Sequence, residues 1–107
     1  IINKYNMKLQ SEYKDLDKYK DKFGYIYYVK KKKKILHNPY GPAVVNKDGH
    51  KEYWIDGKPY RLDGPAVIRS NGYEEYWINE EYLTKEEFEM HPERLKFLGK
   101  EHLICIK

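Results

Sequence analysis

Cysteine is nearly absent from this chain, since Cys105 is the only one among 107 residues. An internal disulfide is therefore excluded, and a lone thiol favours a location inside the cell, where disulfides are rare. Long apolar runs are missing as well: none approaches the ~20 residues that a membrane-spanning helix needs. The first residues form no apolar segment of the signal-peptide type. The chain begins at Ile1 and not at Met, which indicates a fragment or a processed product.

Aliphatic residues are also sparse, and the mean hydropathy of −0.98 is very polar. The hydrophobic fraction of 40% includes twelve tyrosines, whose rings can be buried while their hydroxyls stay near water. We therefore expect a layer of aromatic side chains in place of a deep, dry core. The length predicts one domain or part of one.

The chain lacks the residue combinations that are typical of enzymes. Its only serines are Ser11 and Ser70, and neither belongs to a credible Ser/His/Asp set. The four histidines do not have the HxxxH or HExxH spacing of a metal site, and the glycines lie at turn spacings and not in a phosphate-binding loop. Neighbouring acids such as Glu74 and Glu75 point to opposite faces of a strand, so they cannot act as an acid–base pair. The sequence predicts a protein that is not an enzyme and uses no metal or cofactor.

What the chain does have is a repeat of 23 residues. Residues 41–60 and 64–83 are identical at nine of twenty positions in one ungapped register. Such a period indicates stacked supersecondary units, which form binding surfaces more often than catalytic sites. The clearest matches are Gly41-Pro42-Ala43-Val44 with Gly64-Pro65-Ala66-Val67, and Glu52-Tyr53-Trp54-Ile55 with Glu75-Tyr76-Trp77-Ile78.

Each unit has the pattern strand, turn, strand, turn. Gly49 and Gly72 can adopt the positive φ that tight hairpin turns need, and the flanking residues are β-branched or aromatic. The segment 24–40 resembles a degenerate copy that is two residues longer at its tip. We therefore expect a mainly β fold, an antiparallel sheet of successive hairpins. Its strands are predicted at 25–29, 35–37, 43–45, 51–55, 66–68 and 74–78, and its units at 23–40 (degenerate), 41–63 and 64–83.

The N-terminal segment 1–22 carries a weak helical pattern. Leu9, Tyr13 and Leu16 follow an i, i+3/i+4 spacing, with Ser11 as a candidate N-cap, so a short amphipathic helix is predicted at 11–21.

The C-terminal segment 84–107 is predicted to cap the sheet. Thr84 followed by Glu87 is a capping box, so a helix is expected to begin about Lys85. Pro92 cannot lie comfortably within a helix, so a second helix is expected from there to Gly99. Phe88, Leu95 and Leu98 would face inward, and residues 102–106 would add a final strand.

Four aromatic residues are candidates for a binding face. Tyr53 and Tyr76 occupy equivalent positions in the two units, as do Trp54 and Trp77. Residues one repeat apart stack across the sheet, so two aromatic columns are expected on opposite faces. Either both columns pack against the terminal segments, or one stays exposed and binds a partner.

A run of lysines forms the second candidate site. It lies at a predicted hairpin tip in a chain of net charge +4. It is either a solvated tip that discourages edge-to-edge aggregation, or a contact for an acidic protein surface, nucleic acid or anionic lipid. The run consists of Lys30, Lys31, Lys32, Lys33 and Lys34.

The segment Tyr53-Trp54-Ile55-Asp56-Gly57, with Gly49 before it and Gly64 after it, resembles the MORN repeat. The pattern GPA…G…EYW is closer to a MORN-like variant that is frequent in proteins of large DNA viruses and some phages. The resemblance covers about residues 24–83, and Glu80 departs from it where a turn glycine is expected. It implies an elongated sheet of hairpins for protein contacts, membrane-surface contacts or scaffolding, without catalytic residues.

Two functions follow as expectations. The first is a non-enzymatic protein–protein interaction or structural module, viral or phage-like, acting as a virion component or an inhibitor of a host factor. It would be located in the host cytoplasm or the virion. The alternative is a basic nucleic-acid-associated module that uses the lysine tip and exposed aromatics.

Overall fold

In the part of the chain that the structure describes, eight short strands form one antiparallel sheet and two more form a separate hairpin. The structure is a computed structural model, and it describes residues 2–104. The predicted mainly β class is confirmed. The strands are β1 (Met7–Leu9), β2 (Leu16–Lys20), β3 (Ile26–Lys30), β4 (Val44–Val45), β5 (Lys51–Glu52), β6 (Trp54–Ile55), β7 (Lys58–Pro59), β8 (Val67–Ile68), β9 (Glu74–Ile78) and β10 (Glu81–Leu83).

The order of the strands in space follows their order along the chain. Each sheet strand pairs with the next one in sequence, and only the β6–β7 hairpin is left out of the row. The molecule measures 51 × 31 × 20 Å. A five-residue strand spans only about 17 Å, so the long dimension runs across the strands. The edge strands β1 and β10 therefore lie at opposite ends of the sheet.

The first turn of each hairpin is closed in the same way. A glycine at positive φ donates its N–H to the carbonyl three residues earlier, which is the geometry that favours glycine in tight turns. The three bonds are Gly24 to Asp21 (3.2 Å), Gly49 to Asn46 (3.1 Å) and Gly72 to Arg69 (2.9 Å). The backbone thus shows one turn geometry at three places along the chain.

The second turn keeps its backbone conformation although its sequence changes. Asp56 and Gly57 have φ values of 52° and 79°, and Asn79 and Glu80 have values of 51° and 68°. Both pairs have the positive φ values of a type I′ turn. Glu80 occupies the left-handed region despite its side chain, at a cost of roughly 1–2 kcal/mol. The pairing of β9 with β10 across this turn offsets that cost.

The core is thin and lies along the middle of the sheet. Val29, Leu36 and Val44 form one buried cluster, and partly buried aromatic residues, including Trp54, pack against it. Ala43 and Ala66 are fully buried, and their N–H groups donate to the carbonyls of Glu52 and Glu75 across the strand pairs (2.7 and 2.8 Å).

The predicted N-terminal helix at 11–21 is wrong. Leu16–Lys20 is strand β2, which pairs with β1 on one side and β3 on the other. Leu16 is buried in this strand with 1% of its surface exposed. The helix prediction rests on the spacing of only three apolar residues, and a short isolated helix is only marginally stable in water. Pairing with β3 satisfies the backbone and buries Leu16, so tertiary contacts override the local pattern.

The predicted C-terminal helices are present. Thr84 and Glu87 form the capping box, helix α1 is Lys85–Glu89, and helix α2 is Pro92–Phe97. Phe88 and Leu95 are buried as predicted, whereas Leu98 is 37% exposed because it lies just beyond α2.

The predicted final strand at 102–106 is wrong for residues 102–104, the part of it that the structure describes. Glu101–Leu103 is a 3-10 helix, and residues 105 and 106 lie outside the described residues.

Candidate binding groove and basic tip

The two aromatic columns lie in different surroundings. Tyr53 borders a concave surface together with Arg61 and Phe97, whereas Trp54 and Trp77 border another concave surface together. Successive residues of a strand point to opposite faces, and this separates each tyrosine from the tryptophan that follows it.

The tyrosine column is covered by the chain itself. The guanidinium carbon of Arg61 lies 3.9 Å from the centre of the Tyr53 ring, a cation–π contact. The ring of Tyr76 packs against Phe88 of α1, with a distance of 4.6 Å between ring centres. Both rings are partly buried. These tyrosines therefore hold the sheet to its neighbouring segments.

The tryptophan column borders an open groove of about 450 Å³. We call it the tryptophan groove. The indoles of two successive units lie along it, and charged side chains from β7, the β8–β9 turn and the β9–β10 turn stand at its margin. It is lined by Glu52, Trp54, Gly57, Lys58, Pro59, Val67, Arg69, Glu75, Trp77 and Glu80.

The two indoles are held by equivalent hydrogen bonds. Nε1 of Trp54 donates to Oε1 of Glu52 (2.8 Å), and Nε1 of Trp77 donates to Oε1 of Glu75 (2.9 Å). Nε2 of His50 lies 2.6 Å from the other oxygen of Glu52. Because each indole N–H is already satisfied, the rings offer apolar surface in a fixed orientation.

Trp54 also has a structural role, because part of its ring packs against the Val29 cluster. Trp77 contacts Tyr82 instead, with 5.2 Å between ring centres. Sequence reasoning missed the glutamates that orient the indoles. Glu52 and Glu75 recur with the repeat two residues before each tryptophan, and that spacing places them on the same face of a strand.

Only part of the lysine run is free of ion pairs. Lys30 forms an ion pair with Asp56, and Nζ of Lys34 lies 2.9 Å from Oδ2 of Asp17. The hydrogen bond from Lys34 lowers the pKa of the Asp17 carboxyl, although burial opposes it. Lys30 likewise lowers the pKa of Asp56.

The three central lysines of the run differ from Lys30 and Lys34 in their surroundings. Lys31, Lys32 and Lys33 are exposed, and no ion pair joins them to another residue between 2 and 104. The predicted strand at 35–37 is reduced to a single bridge between Leu36 and Val29.

A shallow concavity of about 350 Å³ adjoins the tip and includes His37. Nδ1 of His37 accepts the backbone N–H of Asp56 (2.9 Å). Burial lowers the pKa of His37, with Asp56 opposing this and Lys30 adding to it. The ring is therefore neutral at pH 7 and carries its proton on Nε2.

Among residues 2–104 there is no group of three or more His, Cys, Asp or Glu side chains placed to hold a metal ion. The described part of the chain also contains no helix of the length and apolarity that a membrane span requires. Comparison of the chain with protein-family models, curated proteins and solved structures gives no significant match.

Proposed function

We propose that this chain is a non-enzymatic protein-binding module that holds an extended peptide segment of its partner in the tryptophan groove. The observation that carries the proposal is the pair of indoles, Trp54 and Trp77, oriented by equivalent glutamate bonds along one open groove. Tryptophan is among the residues most enriched at the positions that dominate the binding energy of protein interfaces.

The shape and chemistry of the groove favour an extended segment. Grooves with aromatic walls recognise extended and proline-rich peptides, whose preformed conformation loses little entropy on binding. Pro59 adds apolar surface beside the indoles. Lys58 and Arg69 form ion pairs with Glu80 and Glu75 of the same groove, so its charged rim carries both signs and can form hydrogen bonds with the backbone of a peptide. The MORN-like pattern of the sequence agrees with a role in protein contacts, as a virion component or an inhibitor of a host factor.

Replacing Trp77 with alanine is expected to weaken peptide binding at least tenfold, because loss of an interface tryptophan commonly costs about 2 kcal/mol or more. The probe is a peptide selected on the wild-type protein from a random display library and then synthesised. Its affinity for each variant is measured by isothermal titration calorimetry. Trp77 is preferred to Trp54 because Trp54 also packs against the core.

Phe97→Ala is the matched control, since Phe97 is aromatic, 59% exposed and away from the groove. It should leave the affinity unchanged, and circular dichroism should show both variants folded. A selected peptide that binds the Trp77 variant as tightly as wild type, or a selection that yields no peptide, would contradict the proposal.

A second candidate, nucleic-acid binding, has one observation in its favour, the three lysines at the tip without ion pairs. The run contains five lysines, but Asp17 and Asp56 form ion pairs with two of them. With three contacts, binding to a single-stranded oligonucleotide should weaken with salt at a logarithmic slope of about −2.

This slope can be measured by fluorescence anisotropy with oligo(dT) between about 50 and 200 mM salt. Changing Lys31, Lys32 and Lys33 together to glutamine should abolish the salt dependence, while Lys47→Gln, an exposed lysine in another turn, should not. Absence of binding at low salt, or an affinity that is flat with salt, removes this candidate.

A further inference from the structure

Charge is strongly polarised along this chain. Residues 1–34 contain eleven lysines and four acidic residues, a net charge of +7. Residues 74–83, which contain β9 and β10, have four acidic and no basic residues, a net charge of −4. Because strand order in space follows chain order, the polarity of the sequence becomes a polarity of the molecule, with one basic and one acidic end.

Each end of the sheet is an edge strand. Within residues 2–104, β1 pairs only with β2 and β10 pairs only with β9. An edge strand presents backbone N–H and C=O groups that can pair with a strand of another chain. Exposed apolar side chains lie close to both edges: Tyr5 and Met7 at the basic end, Tyr82 and Met90 at the acidic end.

The charged side chains of the two edge strands determine which pairs of edges attract each other. Lys8 of β1 and Glu81 of β10 each lie 3.7 Å from a partner in their own chain, Asp17 and His91, yet their side chains remain 61% and 65% exposed. Pairing of two β1 edges brings lysines together, and pairing of two β10 edges brings glutamates together, and like charges across a strand pair are destabilising. Pairing of β1 with β10 brings opposite charges together.

The direction of the strands is also compatible with this pairing. The sheet has eight strands, and all their pairings are antiparallel. An even number of alternating strands leaves β1 and β10 running in opposite directions. A second copy that is displaced along the long axis therefore meets the first in an antiparallel pair, like every neighbouring pair within the sheet.

We propose that the chain associates head to tail with a second copy of itself, with the β1 edge of one copy paired with the β10 edge of the next. Such a contact is heterologous, so it leaves a free edge at each end and adds copies in a row. Each edge is three residues long, so the interface is small and the association weak and reversible. This inference uses the sheet edges and does not depend on the tryptophan groove.

Sedimentation velocity of the full chain tests the association over the micromolar to millimolar range. At about 0.01 M salt, where charges act over about 30 Å, the average mass should rise above 13.0 kDa with concentration. At about 1 M salt, where the range falls to about 3 Å, the chain should return to the monomer. A monomer at every concentration in low salt overturns the proposal.

Two charge reversals test which edges meet. Lys8→Glu makes both edges acidic and Glu81→Lys makes both edges basic, so each variant alone should associate about tenfold more weakly than wild type. An equimolar mixture should recover the wild-type association, because every β1–β10 contact between unlike variants again joins opposite charges. Thermal melts should show that both variants are folded.

The alternative pairings give different results. Symmetric pairing through β1 alone predicts that Glu81→Lys associates like wild type, and symmetric pairing through β10 predicts the same for Lys8→Glu. Either result overturns the head-to-tail proposal, as does a mixture that associates no better than its components.

Discussion

Replacing Phe88 with alanine is expected to lower the free energy of unfolding by about 3–5 kcal/mol, the usual cost of removing a buried phenylalanine. Phe88 is 3% exposed and joins α1 to the sheet through Tyr76. The guanidinium of Arg94 also lies over its ring, 4.9 Å from the centre, so the ring holds both helices in place. Small domains have about 5–15 kcal/mol of stability in total, so this loss is a large fraction of what keeps the chain folded.

Urea denaturation followed by circular dichroism measures this loss. Phe97→Ala provides the control, because Phe97 is on the neighbouring helix but 59% exposed, and its loss should change stability by less than about 0.5 kcal/mol. Similar midpoints for Phe88→Ala and wild type would mean that the helices do not stabilise the sheet.

Replacing Leu16 with alanine is expected to cost about 2–5 kcal/mol, the range for removing a fully buried leucine. Leu16 begins strand β2, lies opposite Lys30 of β3 and is 1% exposed. Its loss should leave a cavity at the start of β2. Because β2 is an interior strand, unfolding should remain a single transition with a lower midpoint.

Met7→Ala is the matched control on the adjacent edge strand, since Met7 is 63% exposed and its loss should be nearly neutral. The same urea titration compares the two variants. If Leu16→Ala is as stable as Met7→Ala, residues 16–20 are not an integral part of the sheet.

Where local chemistry decides the structure, the sequence was a good guide. Thr84 and Glu87 satisfy each other's backbone donors within one turn, so the start of α1 follows from four consecutive residues. Gly49 and Gly72 lie at positive φ because tight turns favour the residue without a side chain. The strand Glu74–Ile78 also has the bounds predicted for it.

The candidate site was predictable only in part. The positions of Trp54 and Trp77 follow from the repeat, but their groove depends on Pro59 and Val67, which belong to different strands. The glutamates that orient the indoles could have been predicted, because each lies two residues before its tryptophan and therefore on the same face of the strand. The ion pair of Lys34 could not, because its partner Asp17 lies 17 residues away on a strand for which the sequence predicts a helix.

By itself the sequence determined the mainly β class, the turns, the helix cap and the separation of charge along the chain, since these depend on residues within a few positions of one another or on composition. Only the tertiary structure decided that residues 16–20 are a strand, that the tyrosines pack against Arg61 and Phe88 while the tryptophans border a common groove, and which lysines of the tip are without ion pairs among the described residues. The physical reason is that these outcomes depend on pairing and packing between residues distant in the chain. Those contacts contribute more free energy than the weak local preferences that oppose them.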